Sequence, residues 1–299
     1  PFSTVGYSLS NTSELTKDED GTVINKTASY AGDGGLQQVF AGVGFKVLDN
    51  LSIGANISYI YGDITHSVTT AFSNSSSFSS VRLDKISIND YKLDFGLQYI
   101  YKFNKKHVLN FGAVYSLGHS MNGKGYKYNQ KWLNGADYPS TQTGDTITNA
   151  FSLPHTFGAG LTYVYDNRLT VGADFTYQKW EDAKFYNEKN YFCNRTKIAV
   201  GAEFIPSPYS HNYLKRIRYR VGGYYSDPYT KVDGQDGTRE YGVSAGFGFP
   251  LFQSKSILNI SGQYVKVSPK VKGMLEENYL KINIGLTFNE RWFMKWKVD

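Results

Sequence analysis

The sequence predicts an all-β, antiparallel transmembrane β-barrel of about twelve strands. Three observations carry that reading. Apolar and polar side chains alternate every two residues from end to end, the period at which a strand sends neighbours to opposite faces. The alternating runs last roughly 9 to 11 residues or more, the length a tilted strand needs to cross a bilayer. The connections alternate between tight and long, as the two ends of a bacterial barrel require.

The elements follow in chain order. Phe2 to Leu15 opens the barrel, and Gly42 to Val47 leads into a tight Asp49-Asn50 turn. In the next strand Leu51, Ile53, Ala55, Ile57, Tyr59 and Tyr61 alternate with Ser52, Gly54, Asn56 and Ser58. Tyr91, Leu93, Phe95, Leu97, Tyr99, Tyr101 and Phe103 repeat the pattern against Lys92, Asp94, Gly96, Gln98 and Lys102. Leu169, Val171, Ala173, Phe175 and Tyr177 form a third clear frame, and Leu280, Ile282, Ile284, Leu286 and Phe288 form the last, in a strand spanning Asn278 to Asn289.

The tight connections are Asp49-Asn50, Asn104 to Lys106, Asp166-Asn167, Pro206 to Asn212 and Phe252 to Lys255. Asn and Asp favour such hairpin turns. The long polar ones are Lys17 to Asn25, Ser73 to Ser80, Asn129 to Asn149, Asn187 to Asn190, Asp227 to Thr238 and Pro269 to Glu276. The first group belongs to the periplasmic side and the second to the outside. Asn129 to Asn149, the longest, is expected to fold back on itself or over the mouth. Residues 1 to 299 read as one domain.

Composition excludes other classes. Mean hydropathy is −0.41, and no window approaches 18 consecutive apolar residues, so a membrane helix is ruled out. Aromatics reach 16%, and many of the 30 glycines fall inside the runs, where small inward residues leave room for a lumen or plug. The single Cys193 has no disulfide partner and no metal-ligand spacing. The net charge of +6 is dispersed among acidic residues, which argues against nucleic acid. Outer-membrane lipid and lipopolysaccharide are the expected neighbours. No signal peptide opens the chain, so it reads as a mature form or as one without its N-terminal part.

The C-terminal run Asn278 to Phe293 resembles the closing strand of the FadL/TodX-type outer-membrane channels for hydrophobic compounds, in their Bacteroides-group version. Pro1 to Tyr7 is similar to the outer half of a strand near that family's N-terminus, and Gly42 to Val47 to a strand entering an inner turn. The resemblance implies fourteen strands around an N-terminal hatch, with the hatch and two strands upstream of residue 1. It implies passive uptake of a hydrophobic or amphipathic small molecule, a bacterial outer-membrane location and no cofactor. A second function class stays open: a non-transporting FadL-like barrel serving as a structural subunit of a complex with other outer-membrane proteins, for secretion, insertion or surface assembly. A general porin is disfavoured because the inward positions are Gly, Ser, Asn and Thr, not segregated charged rings.

Candidate site residues come from the inward frame. Arg216, Arg218 and Arg220 would place three guanidinium groups on one lumen-facing strand, suited to a carboxylate or phosphate. Alternatively they neutralise Asp94, Asp174 and Glu203. Pro1 and Gly6 are lateral-gate candidates, since both weaken a strand; a truncated edge strand tolerates the same residues. Trp132 is a candidate at the outer mouth, with Tyr138, Phe151 and Phe157 nearby in sequence, Phe157 fitting an interfacial girdle better. His66, His107, His119, His155 and His211 form no metal-binding or hydrolase motif, so no enzyme is expected.

Overall fold

The computed structural model describes residues 1–17, 20–74, 76–133, 141–186, 189, 191–232, 234–251, 256–270 and 276–288. The predicted Phe252 to Lys255 turn, Tyr138, Pro139 and the end of the C-terminal run lie outside these residues, as does most of Pro269 to Glu276. The strands are β1 (Ser3–Lys17), β2 (Val23–Leu48), β3 (Leu51–Phe72), β4 (Phe78–Lys102), β5 (His107–Ser116), β6 (Gly123–Leu133), β7 (Thr141–Thr148), β8 (Thr156–Tyr165), β9 (Leu169–Gln178), β10 (Arg195–Phe204), β11 (Arg218–Ser226), β12 (Lys231–Val232), β13 (Gln235–Asp236), β14 (Thr238–Pro250), β15 (Ile257–Pro269) and β16 (Glu277–Thr287).

Twelve of them form one antiparallel meander in the order β1-β2-β3-β4-β5-β8-β9-β10-β11-β14-β15-β16, the number the sequence predicts. The β6–β7 hairpin adds two more by pairing with the far half of β4, while β12 and β13 pair only with each other. Among the described residues the sheet thus holds fourteen strands, twelve in the meander and two in this hairpin. Among the described residues β1 pairs only with β2 and β16 only with β15, so the closing ladder expected of an even-stranded barrel is not among the pairings.

Hydrogen-bonded register converts the sequence alternation into two continuous faces. Across β2 to β9 one row reads Val43, Ala55, Phe95, Tyr115, Phe157, Tyr177, all on the outward side. Farther round, Val221 meets Ala245, and Ile260 meets Ile284, in the same outward frame. Most of these side chains are exposed, and the rest half-buried, because their surroundings are hydrocarbon. Tyrosines bound the band: Tyr99, Tyr101, Tyr163 and Tyr165 toward the tight turns, and Tyr59, Tyr91, Tyr115, Tyr177, Tyr225 and Tyr241 toward the long connections. Tyr91 and Tyr101 lie on one strand; at about 3.3 Å per residue and a tilt near 40°, their spacing measures about 25 Å, the height of a barrel's apolar band.

On the turn side, backbone bonds lock successive turns together. Ile100 N donates to Asn50 O (2.8 Å), Asp166 N to Lys106 O (2.7 Å) and Ile205 N to Arg168 O (2.7 Å). Asp166 and Asn167 take positive φ values of 50° and 53°. Asp and Asn reach that left-handed region more readily than other non-glycine residues, which is why they make the turn.

β2, β3 and β4 are 26, 22 and 25 residues long, against 10 each for β5, β8, β9 and β10. Beyond Tyr61, β3 continues for about 36 Å along its length. β1 lies wholly at this level, because Ser3 to Lys17 pair with Leu36 to Val23 and never with the turn-side half of β2. That placement agrees with the resemblance of Pro1 to Tyr7 to the outer half of a strand. With β6 and β7, these strands form a tall wall on the loop side.

The register runs through the wall without a slip from Lys26↔Phe72 to Lys46↔Ser52, yet the polarity of the frame reverses. Below the crossing, odd positions of β3 are apolar and even ones polar. Above it, Ile60, Ile64, Val68 and Phe72 are even, while Asp63, Thr65, Ser67 and Thr69 are odd. β2 reverses in the same rows, from Val39, Val43 and Phe45 outward to Leu36 and Tyr30 inward. Two glycines mark the crossing. Gly34 (φ 109°) and Gly62 (φ 140°) hold conformations that other residues rarely adopt. A Cβ on Gly34 would stand 2.2 Å from Asp63 O, and one on Gly62 2.3 Å from Gly35 O.

Candidate functional site

Two inward regions are candidates: the lumen at membrane depth, and the mouth under the tall wall. The lumen face is built from small and polar residues in register. One row reads Asn110, Thr162, Gly172, Gly201, Gly222, Ser244, Gln263, Lys281. Shallow concavities open on this face beside the row. One of about 400 Å³ is lined in part by Gln98, Asn110, Thr162 and Asp174. Another of about 320 Å³ lies beside Arg220, Ser244, Asn259 and Asn283.

Several charges on this face are paired. Glu203 stands opposite Arg220 across β10 and β11. Its carboxylate accepts from Arg220 Nε at 2.6 Å and from Arg218 Nη1 at 3.3 Å, and Arg220 Nη1 also donates to Asn259 Oδ1 at 2.7 Å. Nearer β4, Lys92 pairs with Asp94, which also accepts from Ser116. Of the neutralising carboxylates considered in the sequence, Glu203 meets the arginines, whereas Asp94 serves Lys92.

Arg216 departs from the expected strand. It lies in a short 3₁₀ turn, Tyr213–Arg216, opened by Asn212, whose Oδ1 accepts from Leu214 N at 3.0 Å. The turn ends at the extended Ile217, before β11 begins at Arg218, and leaves Arg216 at the turn-side rim. There it lines, with Arg218, Ile205, Pro208 and Pro250, a concavity of about 240 Å³. The three arginines therefore divide between two concavities and do not form a single row.

At the mouth the inward face is apolar and covered. Leu36, Ile60, Ile86 and Ile88 of the wall are buried against Met121, Ala150, Leu153 and Tyr186, with Phe2, Ile64, Ile147, Phe151 and Phe185 packed around them. The covering residues come from the connections β5–β6, β7–β8 and β9–β10. Those connections hold one another by single bridges, Ser120↔Ser152 and Phe151↔Phe185, and Phe192↔Thr230 extends the chain to the β11–β12 connection. An aromatic group of Trp180, Phe192 and Tyr229 follows, with centroids 5.2 Å from Trp180 to each of the others.

Tyr186 is the deepest anchor. It is buried at a positive φ of 51°, with its ring over Gly125, where a Cβ would come within 2.8 Å of Cε1, and with Lys127 Nζ 4.7 Å from the ring centroid. Burial, with the Asp84 carboxylate as a second cause, pushes its hydroxyl up to about 12. Of these mouth residues, sequence alone points to Phe151. The reversal of the frame at Ile60, Ile64 and Ile86 was the available signal.

The remaining sequence candidates separate. Pro1 lies just before β1, and Gly6 pairs with Asp33 with no atom within 4 Å of where its Cβ would stand, so Gly6 is not sterically required. Trp132 sits on β6 opposite Ser79, on the wall's outward face. Phe151 is in the mouth core and Phe157 in the membrane band, so the three described members of the supposed aromatic landing site do not converge. Asn129 to Asn149 does fold back, as the β6–β7 hairpin against β4. His155 Nδ1 is 2.9 Å from Tyr115 Oη and accepts from Gly118 N, while His119 Nε2 meets Asp90 at 3.2 Å; both have structural partners.

Known structures share this architecture. The fold is similar to a Pseudomonas aeruginosa FadL homologue, at a TM-score of 0.54 and 14% identity over 88% of this chain and 70% of that one. It is also similar to the Ralstonia pickettii toluene transporter TbuX, at 0.51 and 12% over 89% and 86% of the two chains. A ΔS2 mutant of the TodX monoaromatic hydrocarbon channel gives 0.52 and 15% over 94% and 76%. At such identities the likeness is one of fold, a FadL-like barrel whose matched relatives are transporters and channels and not enzymes. No curated protein matches the sequence. The BamG family model matches residues 1–299, the full length, and on that match the chain belongs to the BamG family.

Proposed function

We propose that this chain is a non-transporting FadL-like barrel of the bacterial outer membrane, acting as a structural subunit in an assembly with other outer-membrane proteins. The observation that carries this reading is the packed core beneath the wall. A molecule arriving at that part of the mouth meets Ile60 and Met121, both fully buried, together with Tyr186. Ion pairs from Glu203 to Arg218 and Arg220 spend the lumen's charges on one another. The family name BamG points the same way. In this role the outward band meets lipid and lipopolysaccharide.

The second reading is passive uptake of a hydrophobic or amphipathic small molecule, favoured by the likeness to a FadL homologue and to toluene transporters. In it, Arg216, Arg218 and Arg220 bind an anionic group, Pro1 and Gly6 loosen the wall, Trp132 marks the approach, and weak successive sites allow passage. Two measurements separate the readings. The intact protein is extracted gently from native membranes and its complexes are weighed by mass spectrometry, and the purified barrel is assayed in liposomes for entry of toluene and of a fatty acid. A stoichiometric protein assembly with no uptake above empty liposomes is expected. A lone barrel that admits either compound overturns the proposal.

A further inference from the structure

Asp174 is a lumen carboxylate without a partner. It stands on β9 in the inward frame, between the outward Ala173 and Phe175, and is exposed on the lumen face. Among the described residues it joins no ion pair and no hydrogen bond, although ionisable groups at membrane depth usually pair. Neither adjoining strand answers it. β8 carries no basic residue from Thr156 to Tyr165. On β10, Arg195 Nε donates to Ser226 Oγ at 2.8 Å and Lys197 Nζ lies 5.2 Å from the Tyr224 ring centroid, so both turn toward β11.

Strand register builds a trough around this carboxylate. Gln98 of β4, Gly112 of β5, Gly160 of β8 and Asp174 stand in one row, with the two glycines as its floor. Asp174 leans over the second glycine: a Cβ on Gly160 would stand 2.4 Å from Asp174 Oδ1. Asn110 and Thr162, paired two residues nearer the turns, and Thr176 on the other side complete the hollow of about 400 Å³. Asn110 Oδ1 is buried and meets no donor. An acceptor left this way costs stability, and a donor bound in the hollow lets that amide turn and be satisfied.

The lining sets the chemistry of the ligand. Among the described residues lining the hollow, Asp174 alone is charged, while Gln98, Asn110, Thr162 and Thr176 are neutral and each offers an oxygen acceptor. One positive charge with several N–H donors matches that set, and an ammonium or guanidinium group carries both. No group of three or more His, Cys, Asp or Glu side chains among the described residues is placed to hold a metal ion. We infer that this hollow is a binding site for an organic cation, held at Asp174 through an ammonium or guanidinium group. The site does not depend on the subunit reading, because the lumen offers it equally to a free amine and to a lysine or arginine of another polypeptide.

Equilibrium dialysis of labelled methylguanidinium against the intact barrel in detergent tests the site, with N-methylurea, neutral and of nearly the same shape, as the control. One methylguanidinium per barrel and no methylurea are expected. Asp174→Asn should weaken binding about tenfold or more by removing a charge-assisted pair, while Glu203→Gln, which removes a carboxylate already held by arginine, should leave it within about twofold. Gly160→Val keeps the charge but fills the trough and should weaken binding as strongly; it carries the test if Asp174→Asn loses its folded, heat-modifiable migration. No bound methylguanidinium, equal binding of the two probes, or binding unchanged in Asp174→Asn or Gly160→Val overturns the site. The source of the cation is read in native membranes with a water-soluble carbodiimide, which condenses a carboxylate with an adjacent amine. An amide from Asp174 to a small amine, or to a lysine of another polypeptide, supports the site and names its occupant. An amide to a lysine of this same chain makes Asp174 half of an internal pair and overturns it.

Discussion

The membrane band and the tall wall are made by the same strands in the same register, yet they bury opposite faces. In the band, Ile57, Tyr59 and Leu93 point outward to hydrocarbon and Asn56, Ser58 and Lys92 point in. In the wall, Ile64 and Ile86 point in, and Thr65 and Ser87 point out. The band follows the rule for a barrel in lipid and the wall the rule for a sheet in water, with the apolar side turned to a core. The crossing between Ile57 and Ile64 marks where the surroundings change from hydrocarbon to water. A backbone ladder is indifferent to that change, so a strand can pass from one solvent to the other by exchanging which parity is apolar.

The comparison can be broken at Ile86 and Ser87, adjacent residues on opposite faces of the wall. Ile86→Asp places a carboxylate in the mouth core and should cost about 4 kcal/mol or more. Ser87→Ala, which removes only an outward hydroxyl bonded to Asp63, should stay within about 1 kcal/mol. Limited proteolysis of the loop-side segments in detergent checks this: rapid cleavage in the first variant alone is expected, and equal resistance would refute an inward-facing core.

The crossing itself gives the next effect. Gly62→Ala forces a Cβ against Gly35 O at a φ of 140° and should destabilise by about 2–3 kcal/mol. Gly6→Ala, with open space around it, should change stability by less than about 0.5 kcal/mol. Denaturant unfolding of the two variants measures the difference, and equal losses would remove Gly62 as a required feature.

In the band, Arg220→Met should cost about 1 kcal/mol by leaving Glu203 with only the longer Arg218 pair, reduced from the value for a fully buried pair because Arg220 is partly exposed. Adding Glu203→Gln should recover most of that loss. If the single and double variants are equally unstable, the pair is not the reason for the charge. The triple replacement of Arg216, Arg218 and Arg220 should lower stability without altering small-molecule uptake.

The smallest effect belongs to Tyr186. Its hydroxyl titrates near 10 when unfolded and about 12 when folded, so the folded state retains the proton longer. The associated stability is complete below pH 10 and declines as pH rises from 10 toward 12. The opening free energy of residues 149–155, from hydrogen exchange corrected for intrinsic base catalysis, should fall over that window in the wild type and stay level in Tyr186→Phe. A pH response unchanged in the Phe variant would assign it to another group.

Much of the fold was legible because strand parity is local. Leu51 to Tyr61 announces its lipid face without reference to any other segment, and Asp166-Asn167 announces a turn through its tolerance of positive φ. The same logic made the reversed frame from Ile60 to Val68 readable in principle. Leu51 to Tyr61 by itself satisfies the length of a membrane strand, so the alternation gives no reason to extend it past Tyr61. The candidate site was less legible. Arg216 reads as a strand residue by alternation, and only the Asn212-capped turn takes it out of line.

The amino-acid sequence by itself determined the all-β meander, its twelve-strand path, the two ends of the barrel and the outward band, because each depends on the period of side chains along one strand or on the chemistry of one turn. The tertiary structure decided the rest. Arg220 meets Glu203 and Asn259 only through the register of four strands, and Met121, Ala150, Leu153 and Tyr186 meet Ile60 only because three separate connections dock on one another. Contacts of that kind join residues far apart in the chain, and no local periodicity encodes which distant side chain fills a given space.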